Sequence, residues 1–185
     1  MTTKEEMKEM ITKQLEYIGE DPHRPGLQET PARMLKSWDK ILGGYKRDPK
    51  DILTTFDSDG YDQIVLLKDI EMYSTCEHHW QTFSGRAHVA YIPGDQVIGI
   101  SKLARLVEIY ARRLQIQERI GMQVTDALMK HLRPEAAACV IEAKHFCMCA
   151  RGVEKQHSTM ITSAVEGKFK TSNSAKSELM SLIYS

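Results

Sequence analysis

Residues 64–92 read IVLLKDIEMYSTCEHHWQTFSGRAHVAYI, and two strand-like segments in this stretch flank the cluster Cys76-Glu77-His78-His79. The first segment passes from an apolar block into an alternation in which Ile70 and Met72 have polar neighbours. The second segment, residues 86–92, alternates as far as Pro93-Gly94. A period of two is typical of a strand with one buried face. The stretch therefore predicts two strands, with the cluster at the end of the first.

The rest of the chain adds a helical stretch and a second strand pair. Residues 101–131 carry apolar side chains at helical spacing and predict one long helical stretch, which Pro134 closes. Residues 137–143 alternate as a strand that leads into His145-Phe146-Cys147, and residues 158–169 are its expected antiparallel partner. This order indicates an α+β protein with helices on one face of an antiparallel sheet.

Two helices are predicted before the first strand. A methionine-rich apolar stripe at helical spacing predicts the first. In the second, Thr30 is the predicted N-cap and Pro31 the first helical residue. The sequence thus predicts an N-terminal helical region, residues 1–45, and a region of residues 46–185 that starts with a polar connection over residues 46–62. We expect the two regions to form one compact domain.

The composition excludes several classes of protein. Lysine plus arginine and aspartate plus glutamate both number 25, so no net field draws the chain to nucleic acid or to an anionic membrane. No stretch approaches the roughly 18 apolar residues of a membrane-spanning helix, and residues 1–6 lead into a charged helix rather than a signal peptide. A chain of 185 residues can bury a core without disulfides, so its four cysteines are expected to be thiols or metal ligands in a cytoplasmic protein.

The cluster at residues 76–79 and the later run at residues 145–147 together offer a metal site. Cys76, His79 and Cys147 are the predicted ligands, because two thiolates and one imidazole suit the softness and tetrahedral geometry of Zn²⁺. Three protein ligands leave one position open for water, whose pKa such a site lowers toward neutrality. The site is therefore expected to be catalytic.

Further imidazoles and thiols are close to the predicted ligands in sequence. Neighbouring residues on a strand or turn point apart, so His78 is not expected to share the ion with the next residue. His78 and His145 are instead expected to transfer protons, although His78 is also explained as a solvent-exposed neighbour. Cys149 shares the strand parity of Cys147 and is a rival ligand, whereas Cys139 is interpreted as a small core residue.

A basic and hydroxylic set suits phosphate. Ser101 and Lys102 stand at the start of the predicted long helix, where free N–H groups and a partial positive charge attract anions. Arg105, one turn later, and Arg151 could add charge-assisted contacts. The simpler interpretation is that Ser101 caps the helix and that the side chain of Lys102 is solvated. Residues 115–119 are predicted to lie in the middle of the helix, where the carboxylate of Glu118 is most simply explained as a surface charge.

Together these residues resemble the GTP cyclohydrolase I family over residues 5–180. Five motifs in order carry the resemblance: residues 76–79 (CEHH), 90–93 (AYIP), 97–105 (VIGISKLAR), 115–119 (QIQER) and 145–153 (HFCMCARGV). It implies the tunnelling fold, an antiparallel sheet with two long helices on one face plus N-terminal helices. In that fold the sheets of neighbouring subunits join into a ring, and the usual assembly is a decamer with active sites at subunit boundaries.

The resemblance also implies a reaction and a role for each matching residue. Water on zinc attacks C8 of the guanine of GTP, the imidazole ring opens, formate leaves, and rearrangement gives 7,8-dihydroneopterin triphosphate, the first step of folate and pterin biosynthesis. The residues that would hold zinc are Cys76, His79 and Cys147. Those expected in catalysis are His78, His145 and Ser101, the last also among the phosphate ligands. Those expected to bind substrate are Lys102, Arg105 and Arg151 on the triphosphate or ribose, and Gln117 and Glu118 on the purine.

Two other interpretations stay open. A related tunnelling-fold enzyme for a different purine or pterin would keep the zinc but lose the basic and hydroxylic set. A non-catalytic, zinc-stabilised assembly module would need a closed site with four protein ligands, for which Cys149 is the nearby candidate. The chain departs from the commonest family pattern at Trp80-Gln81-Thr82, at Cys149-Ala150 and at Gln156-His157, which is expected to alter loop shape without removing a ligand.

Overall fold

The computed structural model describes residues 2–185, which divide into two compact units, one that ends at Gly43 and one that runs from Gly44 to Ser185. The first unit contains the two predicted helices, α1 (Lys4–Tyr17) and α2 (Thr30–Ile41). No helix within residues 2–185 combines the length and the apolar character that crossing a bilayer requires.

Helix α2 begins one residue earlier than predicted. Thr30 is already helical, and its N–H donates to the carbonyl of Leu27 at 2.9 Å in the preceding turn. Glu29 therefore occupies the N-cap position that the sequence assigns to Thr30. Pro31 still lies in the first turn, where its missing N–H costs no intrahelical hydrogen bond.

The second unit holds the sheet. Its strands are β1 (Thr55–Asp57), β2 (Val65–Cys76), β3 (Thr82–Ile92), β4 (Gln96–Ile98), β5 (Leu114–Gln115), β6 (Ala136–His145) and β7 (Met160–Gly167). Its helices are α3 (Ile100–Ala111), α4 (Gln117–His131), α5 (Phe146–Cys149), α6 (Lys168–Thr171) and α7 (Asn173–Tyr184). Strands β1 and β4 pair in a small separate sheet, so residues 46–62 contain a strand where the sequence predicts only a polar connection.

The main sheet has the strand order β5-β2-β3-β6-β7. Its long strands pair antiparallel, and the two-residue β5 lies parallel to the end of β2. A bulge between Leu67 and Ile70, where Asp69 has a φ of 58°, interrupts the pairing of β2 with β3. The predicted α+β class with an antiparallel sheet is confirmed, and β3 begins at Thr82 rather than at residue 86.

The predicted single helical stretch over residues 101–131 is wrong, because two helices, α3 and α4, flank the short strand β5. Leu114 donates its N–H to the hydroxyl of Tyr45 at 3.1 Å, and the carbonyl of Gln115 accepts the N–H of Glu77 at 3.0 Å. These contacts with distant residues hold the segment extended at the sheet edge. Glu118 consequently lies in the first turn of α4 rather than in mid-helix.

Both faces of the sheet are partly covered. Helices α3 and α4 pack on one face, as predicted, and the buried residues there include Met72, Phe83, Tyr91, Leu103, Leu106, Val124, Leu128 and Ile141. Alternate residues of β3 and β6 face the other way and pack with α6 and α7, which the sequence does not predict. The residues of this second cluster include Ile92, Ala138, Val140, Phe169, Leu179 and Ile183.

Candidate metal centre

The turn between β2 and β3 carries two of the predicted ligands. Cys76 ends β2, where its N–H donates to Gln81 at 2.8 Å and its carbonyl accepts from Trp80 at 2.9 Å. Trp80 has a φ of 55°, in the left-handed region that allows the chain to reverse within a few residues. The turn buries Cys76, which is 5% exposed, and leaves His79 exposed.

The third predicted ligand, Cys147, follows strand β6. His145 pairs with Phe83 at the start of β3, so the end of β6 lies beside the turn. The chain then forms the single-turn helix α5, in which Ala150 donates its N–H to Phe146 at 2.9 Å. The strand parity predicted from the sequence for Cys147 and Cys149 is therefore wrong, because the strand ends at His145. Pairing with β7 ends at Ala143, so the backbone beyond it finds its partners in a helical turn.

Cys76, His79 and Cys147 come together in one group. One sulfur or ring nitrogen from each lies within 4.8 Å of the others. Tetrahedral zinc with ordinary Zn–S and Zn–N bonds requires ligand atoms about 3.6–3.8 Å apart, so small side-chain adjustments would suffice. Two thiols and one imidazole are also a donor set that zinc prefers. The residues therefore fit a zinc ion and leave one coordination position for another ligand.

The remaining cysteines are in different surroundings. Cys149 lies outside this group, because one helical turn does not keep the strand parity with Cys147, and its Sγ contacts the carbonyl of Lys155 at 3.6 Å. Cys139 is buried in the core, as predicted, and burial raises the pKa of its thiol to about 12. Burial also raises the pKa of the Cys147 thiol, and the guanidinium of Arg151 opposes that shift.

His78 and His79 are adjacent, but their rings diverge. The ring centroids are 6.2 Å apart and the planes are inclined at 62°. Nδ1 of His78 lies 3.7 Å from Sγ of Cys76, so this exposed imidazole borders the group without joining it.

His145 is held on two sides. Its ring stacks on Phe83 with centroids 4.5 Å apart and planes within 6° of parallel. Its Nε2 lies 2.9 Å from Oε1 of Gln117, which is fully buried. Burial lowers the pKa of His145, and the carboxylate of Glu118 opposes that shift.

An ion pair ties the ligand-bearing turn to α4. The guanidinium of Arg119 forks onto both carboxylate oxygens of Glu77, with one of the two contacts at 3.1 Å. The hydrogen bonds from Arg119 are the main reason that the pKa of Glu77 is lowered. Because Glu77 lies between Cys76 and His79, this pair restrains the segment that carries two candidate ligands.

Comparison with known proteins identifies the family of this chain. The model of the family described as GTP cyclohydrolase I matches residues 7–184. The chain belongs to the GTP cyclohydrolase I family. GTP cyclohydrolase 1 of Wolinella succinogenes is 53% identical over 175 residues, which cover 94% of each chain. GTP cyclohydrolase 1 of Chlorobium phaeovibrioides is 48% identical over 180 residues, which cover 97% of this chain and 81% of the relative.

Among solved structures, the apo form of archaeosine synthase QueF-Like matches with a TM-score of 0.46 and 18% identity. The match covers 56% of this chain and 93% of that one.

In this GTP cyclohydrolase I chain, the predicted substrate-binding residues fall into separate places. Arg151 and Glu118 are exposed near the metal group, where their charges act on Cys147 and His145 respectively. Ser101, Lys102 and Arg105 lie in the first turns of α3. Gln117, predicted to face the purine, is buried, and its amide hydrogen-bonds within the protein.

The first turns of α3 lie at the opposite end of that helix from the segment that leads to the metal group of the same chain. Helix α3 has 12 residues and leads at its far end, through β5, to the pairing of Gln115 with Cys76. A helix of that length extends about 18 Å, which separates Ser101 from the end of α3 that leads to the metal group.

Three contacts around the centre escape the sequence prediction. They are the stack of Phe83 on His145, the bond of Gln117 to His145 and the fork of Arg119 on Glu77. Each contact joins residues at least 28 positions apart in the sequence, so the local periodicity of the sequence cannot predict it. The available signal is the clustering of Gln117 and Arg119 in one family motif, of which the prediction assigns Gln117 to purine binding and gives Arg119 no part in the site.

Proposed function

We propose that this protein hydrolyses GTP by opening the imidazole ring of its guanine, with release of formate and rearrangement to 7,8-dihydroneopterin triphosphate. The observation that carries the proposal is a three-ligand Cys-His-Cys group flanked by two further imidazoles in a GTP cyclohydrolase I chain. Zinc bound by Cys76, His79 and Cys147 would supply Lewis acidity and activate water. The product would enter folate or pterin synthesis.

The residues around the metal group would transfer protons, recognise the guanine and bind phosphate. His78 borders Cys76 and His145 lies beside the same turn, and in our proposal both carry protons to and from the purine as its ring opens. Glu118 is exposed and near His145, where its two oxygens can accept the N–H and exocyclic amine of guanine. Arg151 is placed to clamp a phosphate or ribose oxygen.

We further propose that a second copy of the chain completes each site. Ser101, Lys102 and Arg105 lie at the end of α3 opposite the one that leads to the metal group of their own chain, and in our proposal the first turns of α3 in a neighbouring subunit contribute them. In this arrangement Ser101 assists catalysis, and the two basic residues bind triphosphate. A decamer of two stacked rings is the assembly that we propose, and residues 46–185 are its tunnelling-fold catalytic region.

We also place this reaction in the cytoplasm. The candidate ligands Cys76 and Cys147 bind zinc only as reduced thiolates, and their sulfurs lie close enough that an oxidising compartment would threaten the site. The alternative of a non-catalytic zinc module loses support, because the Cys149 thiol that would close the site lies outside the ligand group.

Incubation of the purified, zinc-loaded protein with GTP tests the proposed reaction. We expect formate and a triphosphate product that becomes a fluorescent pterin after oxidation, in equal molar amounts. Zinc-loaded protein that releases formate without the pterin would point to ring opening alone, and protein that consumes no GTP would refute the proposal. ATP serves as the control, because the forked contact from Glu118 rejects its purine edge.

A further inference from the structure

The side-chain amide of Gln117, at the start of α4, is fully buried and makes hydrogen bonds within the protein on both of its sides. The acceptors around its Nε2 are the carbonyl of Ile141 at 2.9 Å, the carbonyl of Met160 at 3.0 Å and the hydroxyl of Thr162 at 3.1 Å. On the other side of the amide, Oε1 lies 2.9 Å from Nε2 of His145. The amide thus joins β6 and β7 to the imidazole.

These contacts determine which way each group donates. Backbone carbonyls only accept, so the NH₂ of Gln117 must face Ile141 and Met160, and its oxygen must face His145. An amide oxygen also only accepts, so Nε2 of His145 must carry the hydrogen. In the neutral ring, Nδ1 is then the nitrogen with the free lone pair. The stack on Phe83 fixes the plane of the ring at the same time.

We propose that Gln117 is a positioning residue for His145, which it holds with Nε2 protonated so that His145 exchanges protons with the substrate through Nδ1. This inference rests on the proposed function, and it replaces the predicted contact of Gln117 with the purine. The next residue, Glu118, is exposed and remains the purine contact of the motif. Gln117 is buried and Glu118 is exposed, although the two residues are consecutive at the start of α4. In this proposal the first orients the proton carrier His145, and the second recognises the base.

Gln117→Met tests the inference, because methionine keeps the volume and removes both halves of the amide. We expect kcat for formate release to fall by about 10- to 100-fold, as for other losses of an orienting hydrogen bond. KM for GTP should stay within about twofold, because no substrate contact is lost. Zinc content should match the wild-type protein. In a His145→Ala background the same change should cause no further loss, because the group that Gln117 positions is already gone.

Two more variants sharpen the comparison. Gln117→Glu should recover part of kcat, since a protonated carboxyl can donate to one carbonyl and accept from Nε2 of His145. It also takes over the test in both backgrounds if Gln117→Met does not fold. Thr162→Val removes one acceptor of the amide without touching His145 and should leave kcat within about twofold of wild type.

The outcomes separate the inference from the function on which it rests. A raised KM with unchanged kcat would make Gln117 a substrate contact and overturn the inference. An equal loss of kcat in the wild-type and His145→Ala backgrounds would overturn it too, because Gln117 would then act through another group. Wild-type protein without formate release would instead fail the proposed function itself.

Discussion

At the scale of single residues, three consecutive side chains at the start of α4 differ in burial and therefore in what they can touch. Gln117 is fully buried and hydrogen-bonded to His145. Glu118 is exposed, and Arg119 is bound to Glu77 by a forked ion pair. Of the three side chains, Glu118 is the one that is exposed, and it is the one that we expect to contact a ligand.

Glu118→Gln tests the purine contact. The change places an amide donor against the donor edge of guanine, and one unpaired buried polar group costs about 1–3 kcal/mol. We expect the affinity for GTP, measured by equilibrium binding, to fall about tenfold or more with zinc content unchanged. Asp126→Asn, an exposed carboxylate on the same helix, is the matched control and should bind GTP normally. Wild-type affinity in Glu118→Gln would remove Glu118 from guanine recognition.

His88 makes stability depend on pH. His88 is 5% exposed, and its Nδ1 accepts the N–H of Asp69 at 3.2 Å. Burial lowers the pKa of His88, although Asp69 and Glu142 oppose the shift. The folded state therefore binds this proton less readily than the unfolded state, so the contribution of His88 is present above the unfolded pKa and is lost as the pH falls through the folded pKa.

The free energy of unfolding, measured by urea titration between pH 7.5 and 5, should accordingly decrease toward acid. His88→Gln should reduce the decrease, because glutamine keeps a hydrogen-bond acceptor but does not titrate in this range. An unchanged pH dependence in that variant would assign the acid sensitivity to other groups.

At the scale of elements, the turn between β2 and β3 is held by α4 through the fork of Arg119 on Glu77. Arg119→Lys keeps the charge and loses the planar fork. We expect zinc affinity, measured by competition with a chelator, to fall about tenfold or more because Cys76 and His79 lose their restraint. Arg112→Lys, which alters the ion pair with Glu108 at the C-terminal end of α3, should bind zinc as wild type does. Equal affinity in both variants would make the fork irrelevant to the metal.

The sequence predicts those elements whose pattern is local. Alternation identifies β2, β3 and β6, and helical spacing identifies α1 and α2. Prediction from the local pattern fails at residues 112–116, where the apolar spacing suits a helix but pairing with β2, which is distant in sequence, holds the chain extended. It fails again after His145, where the loss of a pairing partner turns a strand into α5.

The candidate site, too, is predictable from the sequence only where it depends on local residue types and spacing. The types and spacing of Cys76, His79 and Cys147 are enough to predict the group that the fold brings together. The role of Gln117 is not predictable, because it depends on burial and on carbonyls of β6 and β7 that are distant in sequence.

At the scale of the whole molecule, the proposed site takes residues from two copies, because the first turns of α3 lie at the end of that helix opposite the one that leads to the metal group of their own chain. Arg105→Ala and Cys147→Ala should each be inactive alone. Co-expressed, they should form mixed oligomers in which roughly a quarter of the sites are intact, so GTP turnover should reappear. Mixed oligomers without turnover would place Arg105 and Cys147 of one chain in the same site.

The most direct measurement determines zinc and formate on the same preparations of the wild-type protein and of Cys147→Ala. We predict one zinc per wild-type chain with release of formate from GTP. The variant should show little metal and no turnover but a cooperative unfolding transition, because the two apolar clusters form the core without the metal. Full zinc and turnover in Cys147→Ala, or zinc-loaded wild-type protein that releases no formate, would contradict the account.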